Sequence, residues 1–133
     1  IRAKAKQDAA KFQSQQKLTY SEDSFIKFTL AYPANWSVIH GINLIKFYSE
    51  DNSGWLAIRE ENPVKIINAV TSSWNGYPAK FYDELDRGGE ISNKVVDIYP
   101  NGYKRSKTVI RISGTKNEFD GLVASITNFK INK

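Results

Sequence analysis

From Ser24 onward the apolar residues of this chain fall at every second position in short runs, and each run is cut by proline, glycine, asparagine or aspartate. A period of two sends successive side chains to opposite faces of an extended strand, so a chain patterned this way folds by pairing short strands across tight turns. Phe28, Leu30 and Tyr32 alternate until Pro33 ends the first run. Asn35 to Ile39 opens a second element that stops at Gly41, and Ile42 to Tyr48 is a third. The polar stretch Ser49 to Gly54 then turns the chain into Trp55 to Arg59, giving a hairpin.

The middle of the chain is less uniform. Asn62-Pro63 can start a helix, with Val64, Ile67 and Val70 at helical spacing, whereas the β-branched content of residues 64–74 fits a strand. Both readings stand at this point. Asn75-Gly76 is a tight-turn pair, followed by Ala79, Phe81 and Leu85 on a new strand and by a loop at Asp86 to Gly89. Ile91 to Tyr99, the turn Pro100-Asn101-Gly102 and Tyr103 to Ser113 form the clearest hairpin.

The two ends read as helix. Residues 1–17 are rich in alanine, lysine and glutamine, lack glycine and proline, and set Ile1, Ala5, Ala9 and Phe12 near one face. Near the C-terminus Asn117 is a plausible N-cap, Phe119, Leu122, Val123 and Ile126 recur at helical spacing, and Phe129 extends the stripe. The expected architecture is therefore α+β: an antiparallel sheet of about six strands packed by a C-terminal helix, with an N-terminal helical extension. Residues 1–19 are expected to be a leader or linker and residues 20–133 the domain.

At 133 residues, 41% hydrophobic, the chain has the size and apolar content of one domain with a real core. Its net charge of +5 is concentrated at the start, where Arg2, Lys4, Lys6, Lys11 and Lys17 face only Asp8. The rest is nearly neutral, which argues against nucleic-acid binding, since phosphate binding needs a concentrated basic surface. The sequence begins at Ile1 and contains no methionine. The expectation drawn from this is a removed signal peptide or membrane anchor, and hence an extracellular or periplasmic, tethered protein that meets the membrane only through that anchor.

Candidate chemistry is sparse. The absence of cysteine removes disulfides, thiolate catalysis and sulfur-ligated metals. His40 is the single histidine, beside Gly41 at an expected turn, and one histidine cannot build a histidine-based metal cluster. Glu60-Glu61 and Asp83-Glu84-Asp86 are the densest carboxylates, but they lack calcium-loop spacing and read as charged loop or strand end. Nucleotide-binding and serine-hydrolase motifs are missing. Asn35-Trp36-Ser37 fits a glycosylation acceptor, with a tryptophan expected to be buried at its centre. Tyr48, Trp55, Trp74, Tyr77, Tyr82, Tyr99 and Tyr103 lie near strand ends and turns, where they either cover the sheet or form a contact surface.

Taken in order, SFIKFTLAYPANW from Ser24 to Trp36, the hairpin at Trp55, NGYPAKFYDE, VIRISG and the closing FDGLVASITNFKI form a series. It resembles the PsbP-like superfamily over roughly residues 20–131, a fold shared with a Ran-binding nuclear import factor. That group's Tyr-Pro-x-x-Trp turn is matched by Tyr32, Pro33 and Trp36, and its C-terminal Ser-Phe stretch by Ser125 to Phe129. Proteins of this group bind very different partners, so the resemblance implies a fold and no particular ligand. The resulting expectation is a non-catalytic extracytoplasmic interaction domain, without cofactor or metal, binding an unknown protein or small ligand. A small-molecule or lipid carrier is the alternative, and an enzyme of unfamiliar type the third reading.

Overall fold

The computed structural model describes residues 16–132. It is mostly β, with ten strands and one short helix among these residues. In chain order the elements are β1 (Lys17–Asp23), β2 (Ile26–Pro33), β3 (Ser37–Gly41), β4 (Leu44–Tyr48), β5 (Trp55–Glu61), β6 (Val70–Trp74), β7 (Tyr77–Leu85), β8 (Ile91–Ile98), β9 (Val109–Thr115), α1 (Lys116–Ala124) and β10 (Thr127–Ile131). Two antiparallel sheets result, one of three strands in the order β1-β2-β10 and one of seven in the order β3-β4-β5-β9-β8-β7-β6.

The core lies on one face of the long sheet. Ile45 and Phe47 of β4, Leu56 and Ile58 of β5, Val96 and Ile98 of β8, and Ile110 and Ile112 of β9 all point to that face and are buried. Ile26, Phe28 and Leu30 of β2 meet them from the short sheet, and Phe119, Leu122 and Val123 meet them from α1. Short sheet and helix thus share one layer, packed on the long sheet, as apolar strand faces require.

This corrects the expected α+β architecture with its single sheet of about six strands. Two segments read as helix contribute strands instead. Lys17, Leu18 and Thr19, assigned above to the helical leader, belong to β1 and pair with Pro33, Tyr32 and Ala31. Residues 1–15 of that leader lie outside the described residues. At the other end the helix does not close the chain. Ser125 stops it, its hydroxyl within reach of the Leu122 and Ala31 carbonyls, and Asn128 takes a positive φ of 56°. The chain then returns as β10 beside β2. Phe129 keeps helical spacing from Ile126 by coincidence, since it sits on a strand and packs on Trp74 and Tyr77.

Two local differences have similar causes. The helix begins at Lys116, with Thr115 rather than Asn117 before it. The second arm of the 91–113 hairpin begins only at Val109, because Tyr103 turns back onto Tyr99, ring centroids 5.0 Å apart, and its hydroxyl reaches the Ser72 and Ala79 carbonyls. The ambiguous residues after Pro63 are neither helix nor strand until Val70, where β6 begins.

A candidate interaction surface at the β6 edge

Among the described residues β6 is the last strand of the long sheet and pairs with β7 alone. Asn75 (φ 50°) and Gly76 (φ 83°) join the two strands, the double left-handed turn that suits the right-handed twist of a two-residue hairpin. Asn68, also at positive φ (64°), bends the chain into β6. Val70, Ser72 and Trp74 therefore share the inner face with Ala79 and Phe81 of β7, while Thr71 and Ser73 share the outer face with Lys80.

Trp74 is covered by Phe129, ring centroids 4.7 Å apart. Further along, the inner face outruns its cover. Past the helix, Val70 is 65% exposed, Ile67 80% and Leu85 61%. A cleft of about 240 Å³ runs between Val70, Phe81, Lys94 and Phe119, and a second of about 270 Å³ lies between Ile67, Tyr82 and Leu85. Asn68 and Asp83 line both. Large aliphatic side chains gathered at one sheet edge beside open clefts make a surface suited to another polypeptide.

The residues singled out in the sequence are dispersed. His40 lies on β3 rather than at a turn, and its Nε2 is 2.8 Å from Glu22 Oε2 of β1. The other Glu22 oxygen accepts the Tyr20 hydroxyl, so the three side chains tie the long sheet to the short one. Burial pushes the Glu22 carboxyl up, but the hydrogen bonds from Ser24, Tyr20 and His40 outweigh it and hold the group below its ordinary value. Glu61 pairs with Arg59 at 3.0 Å. Asp86 accepts the Gly88 and Glu90 amides and shapes its own loop, and Glu84 faces Asn93. Asp83 lines both clefts at the β6 edge, whereas Asp86 lines a separate one beside Lys116 and Glu118.

The seven aromatic residues do not converge either. Trp74 and Tyr77 pack on Phe129, Tyr99 and Tyr103 pack on each other beneath Lys80, and Lys46 lies over Trp55 at 5.4 Å. Tyr82 donates to the buried Asp97, which also receives two bonds from Arg111 at 2.8 and 3.0 Å. Burial first, then the nearby Asp97 charge, raise the Tyr82 hydroxyl above the ordinary tyrosine range. Bidentate geometry of this kind on the outer face joins β8 to β9 and leaves the carboxylate no free edge for a substrate.

Among the described residues no three histidine, cysteine, aspartate or glutamate side chains stand close enough to hold a metal ion, and no helix is long and apolar enough to cross a membrane. The exposed aliphatic group was not singled out in the sequence, although a signal was present. No charged side chain occurs between Lys65 and Lys80, and apolar residues in that stretch follow neither period cleanly. No protein-family model, curated protein or solved structure matches the chain.

Proposed function

We propose that this chain is a non-catalytic interaction domain whose contact surface is the β6 edge with the aliphatic side chains around it. The observation carrying this reading is the exposure of Ile67, Val70 and Leu85 together at one edge of the long sheet, beside two clefts. Apolar side chains left in water at the end of an ordered sheet lower the free energy of whatever complex covers them, by about 25 cal/mol for each Å² removed from solvent. The carrier alternative is less well supported, because Phe119, Leu122, Val123 and Ile126 fill the space between helix and sheets in contact with the core. The Tyr32-Pro33-x-x-Trp36 turn behind the PsbP-like resemblance is closed by the Trp36 amide donating to the Pro33 carbonyl at 3.0 Å, and Tyr32 and Trp36 pack against the core.

A photo-crosslinking residue placed at Ile67 or Leu85 in the full protein, in the cells that make it, tests the proposal. Adducts are expected there and not from a probe at Asp51 on the far hairpin, and they should vanish when Val70 is replaced by lysine. Equal labelling from both places, or none from either, would remove this surface from consideration.

A further inference from the structure

Resting on that reading, we infer that the partner of the β6 edge is a second copy of this chain, joined by antiparallel pairing of β6 with its two-fold mate into one continuous sheet. The argument begins with the ladder. A two-residue turn makes Trp74 and Tyr77 a hydrogen-bonded pair, and antiparallel alternation then assigns the amides and carbonyls of Val70, Ser72 and Trp74 to β7. The same groups of Thr71 and Ser73 point away from the sheet.

A two-fold axis through Ser72 places Thr71 of one copy opposite Ser73 of the other. Both are then hydrogen-bonded pairs, each residue giving and accepting one bond, so the free groups of one edge complete those of the other. On the inner face the same operation sets Val70 beside Trp74 of the partner subunit, an aliphatic side chain against an aromatic one, which is a favourable cross-strand pair. Between Lys65 and Lys80 the chain has no charge, so no like charges meet at the axis. An isologous contact requires this kind of self-complementarity.

The other edges are guarded. Of the terminal strands of the two sheets, β1 carries Lys17, Glu22 and Asp23, β10 carries Lys130, and β3, which like β6 has no Asp, Glu, Lys, Arg or Pro, is held to the short sheet through His40 and Glu22. Charge and cover are the usual protections of a sheet edge against pairing, and β6 has neither charge nor proline.

Sedimentation equilibrium of the purified protein across a wide concentration range tests the inference. A monomer–dimer equilibrium is expected, with amide exchange at Thr71 and Ser73 slowing as the dimer fills. Thr71→Pro removes an outward N–H that is not part of the β6–β7 ladder, a position where an edge strand tolerates proline. It should weaken dimerisation about tenfold or more while leaving the circular dichroism spectrum unchanged, whereas Thr71→Val, which keeps the amide, should dimerise as before. If Thr71→Pro unfolds, the concentration dependence of exchange in the unaltered protein decides the question alone. A protein that stays monomeric at every concentration, or dimerises with Thr71 and Ser73 exchanging freely, overturns the pairing. A monomer that still forms adducts with other proteins from Ile67 overturns it too and leaves the interaction-domain reading standing.

Discussion

The indole of Trp36 lies over Gly54 so closely that a β-carbon at Gly54 would stand 2.9 Å from its Cζ2. The ring joins the turn after β2 to the turn before β5, with the Glu118 side chain 3.2 Å from the same position. Gly54→Ala is expected to lower stability by about 1–3 kcal/mol, the usual cost of forcing atoms into a packed site. Trp36→Ala should cost about 3 kcal/mol, the low end for a large aromatic because the ring is only partly buried. Urea unfolding of the two variants measures both, and a Trp36→Ala protein as stable as the parent would refute the packing.

Two further glycines separate backbone crowding from helix propensity. A β-carbon on Gly114 of β9 would lie 2.8 Å from the Trp55 carbonyl oxygen and 3.0 Å from Leu56 Cδ1, so neighbouring backbone must move. Gly121 of α1 has nothing within 4 Å of that position. Gly114→Ala should destabilise by about 2–3 kcal/mol, and Gly121→Ala should stabilise by about 1 kcal/mol. Thermal melts of the pair are expected to move in opposite directions.

These contacts also mark where sequence reading stops. The hairpins from β2 through β5 and from β7 through β9 were legible because each combined two-residue alternation with a turn of polar or glycine-rich residues, and the β6–β7 turn was legible from Asn75-Gly76. β1 was not, since only Tyr20 of its residues packs on the core and the pattern carries almost no apolar signal. β10 was hidden because Ile126 and Phe129 are three residues apart, a helical spacing, although Ile126 precedes the strand and only Phe129 lies in it. Of the candidate surface, Val70 and Ile67 were visible as apolar residues. Their exposure was not, because it depends on how far α1 covers the long sheet.

The Arg111–Asp97 pair makes a different claim on stability. Asp97 is fully buried and the Arg111 side chain nearly so, which means that either partner alone would leave an uncompensated charge. Arg111→Met and Asp97→Val should each cost about 3–5 kcal/mol, and the two combined should cost less than either. A double-mutant cycle in urea gives the coupling directly. Simple additivity would mean that the two side chains do not depend on each other.

In the β4–β5 turn, the Asp51 carboxylate accepts the Ser53 hydroxyl at 2.7 Å, the Ser53 amide at 3.0 Å and the Ser49 hydroxyl at 2.9 Å. These bonds, led by that of the Ser53 hydroxyl, draw its pKa down to about 2. A depressed carboxyl stabilises the folded turn above the ordinary aspartate value of about 3.9 and loses that effect as pH falls toward the folded value. Carboxyl-carbon NMR should find the Asp51 midpoint near the low value, and Ser53→Ala should raise it. An Asp51 midpoint unchanged by Ser53→Ala would show that these bonds are not made in solution.

The junction of the two sheets at Glu22 and His40 gives the remaining pH dependence. The Glu22 side chain is only 8% exposed, yet its carboxyl is held below the ordinary range by the hydrogen bonds it accepts. Its contribution is therefore complete above the usual glutamate value of about 4.3 and declines as pH falls through the lower folded value. Glu22→Gln should lower stability by about 1 kcal/mol near neutral pH and flatten the fall of stability with acid, because the amide cannot titrate. If the junction also keeps β3 against the short sheet, amide exchange in β3 should quicken in Glu22→Gln and in His40→Ala alike. Acceleration confined to β1 would separate Glu22 from the edge it is argued to close, and the β3 edge would then be as open to pairing as β6.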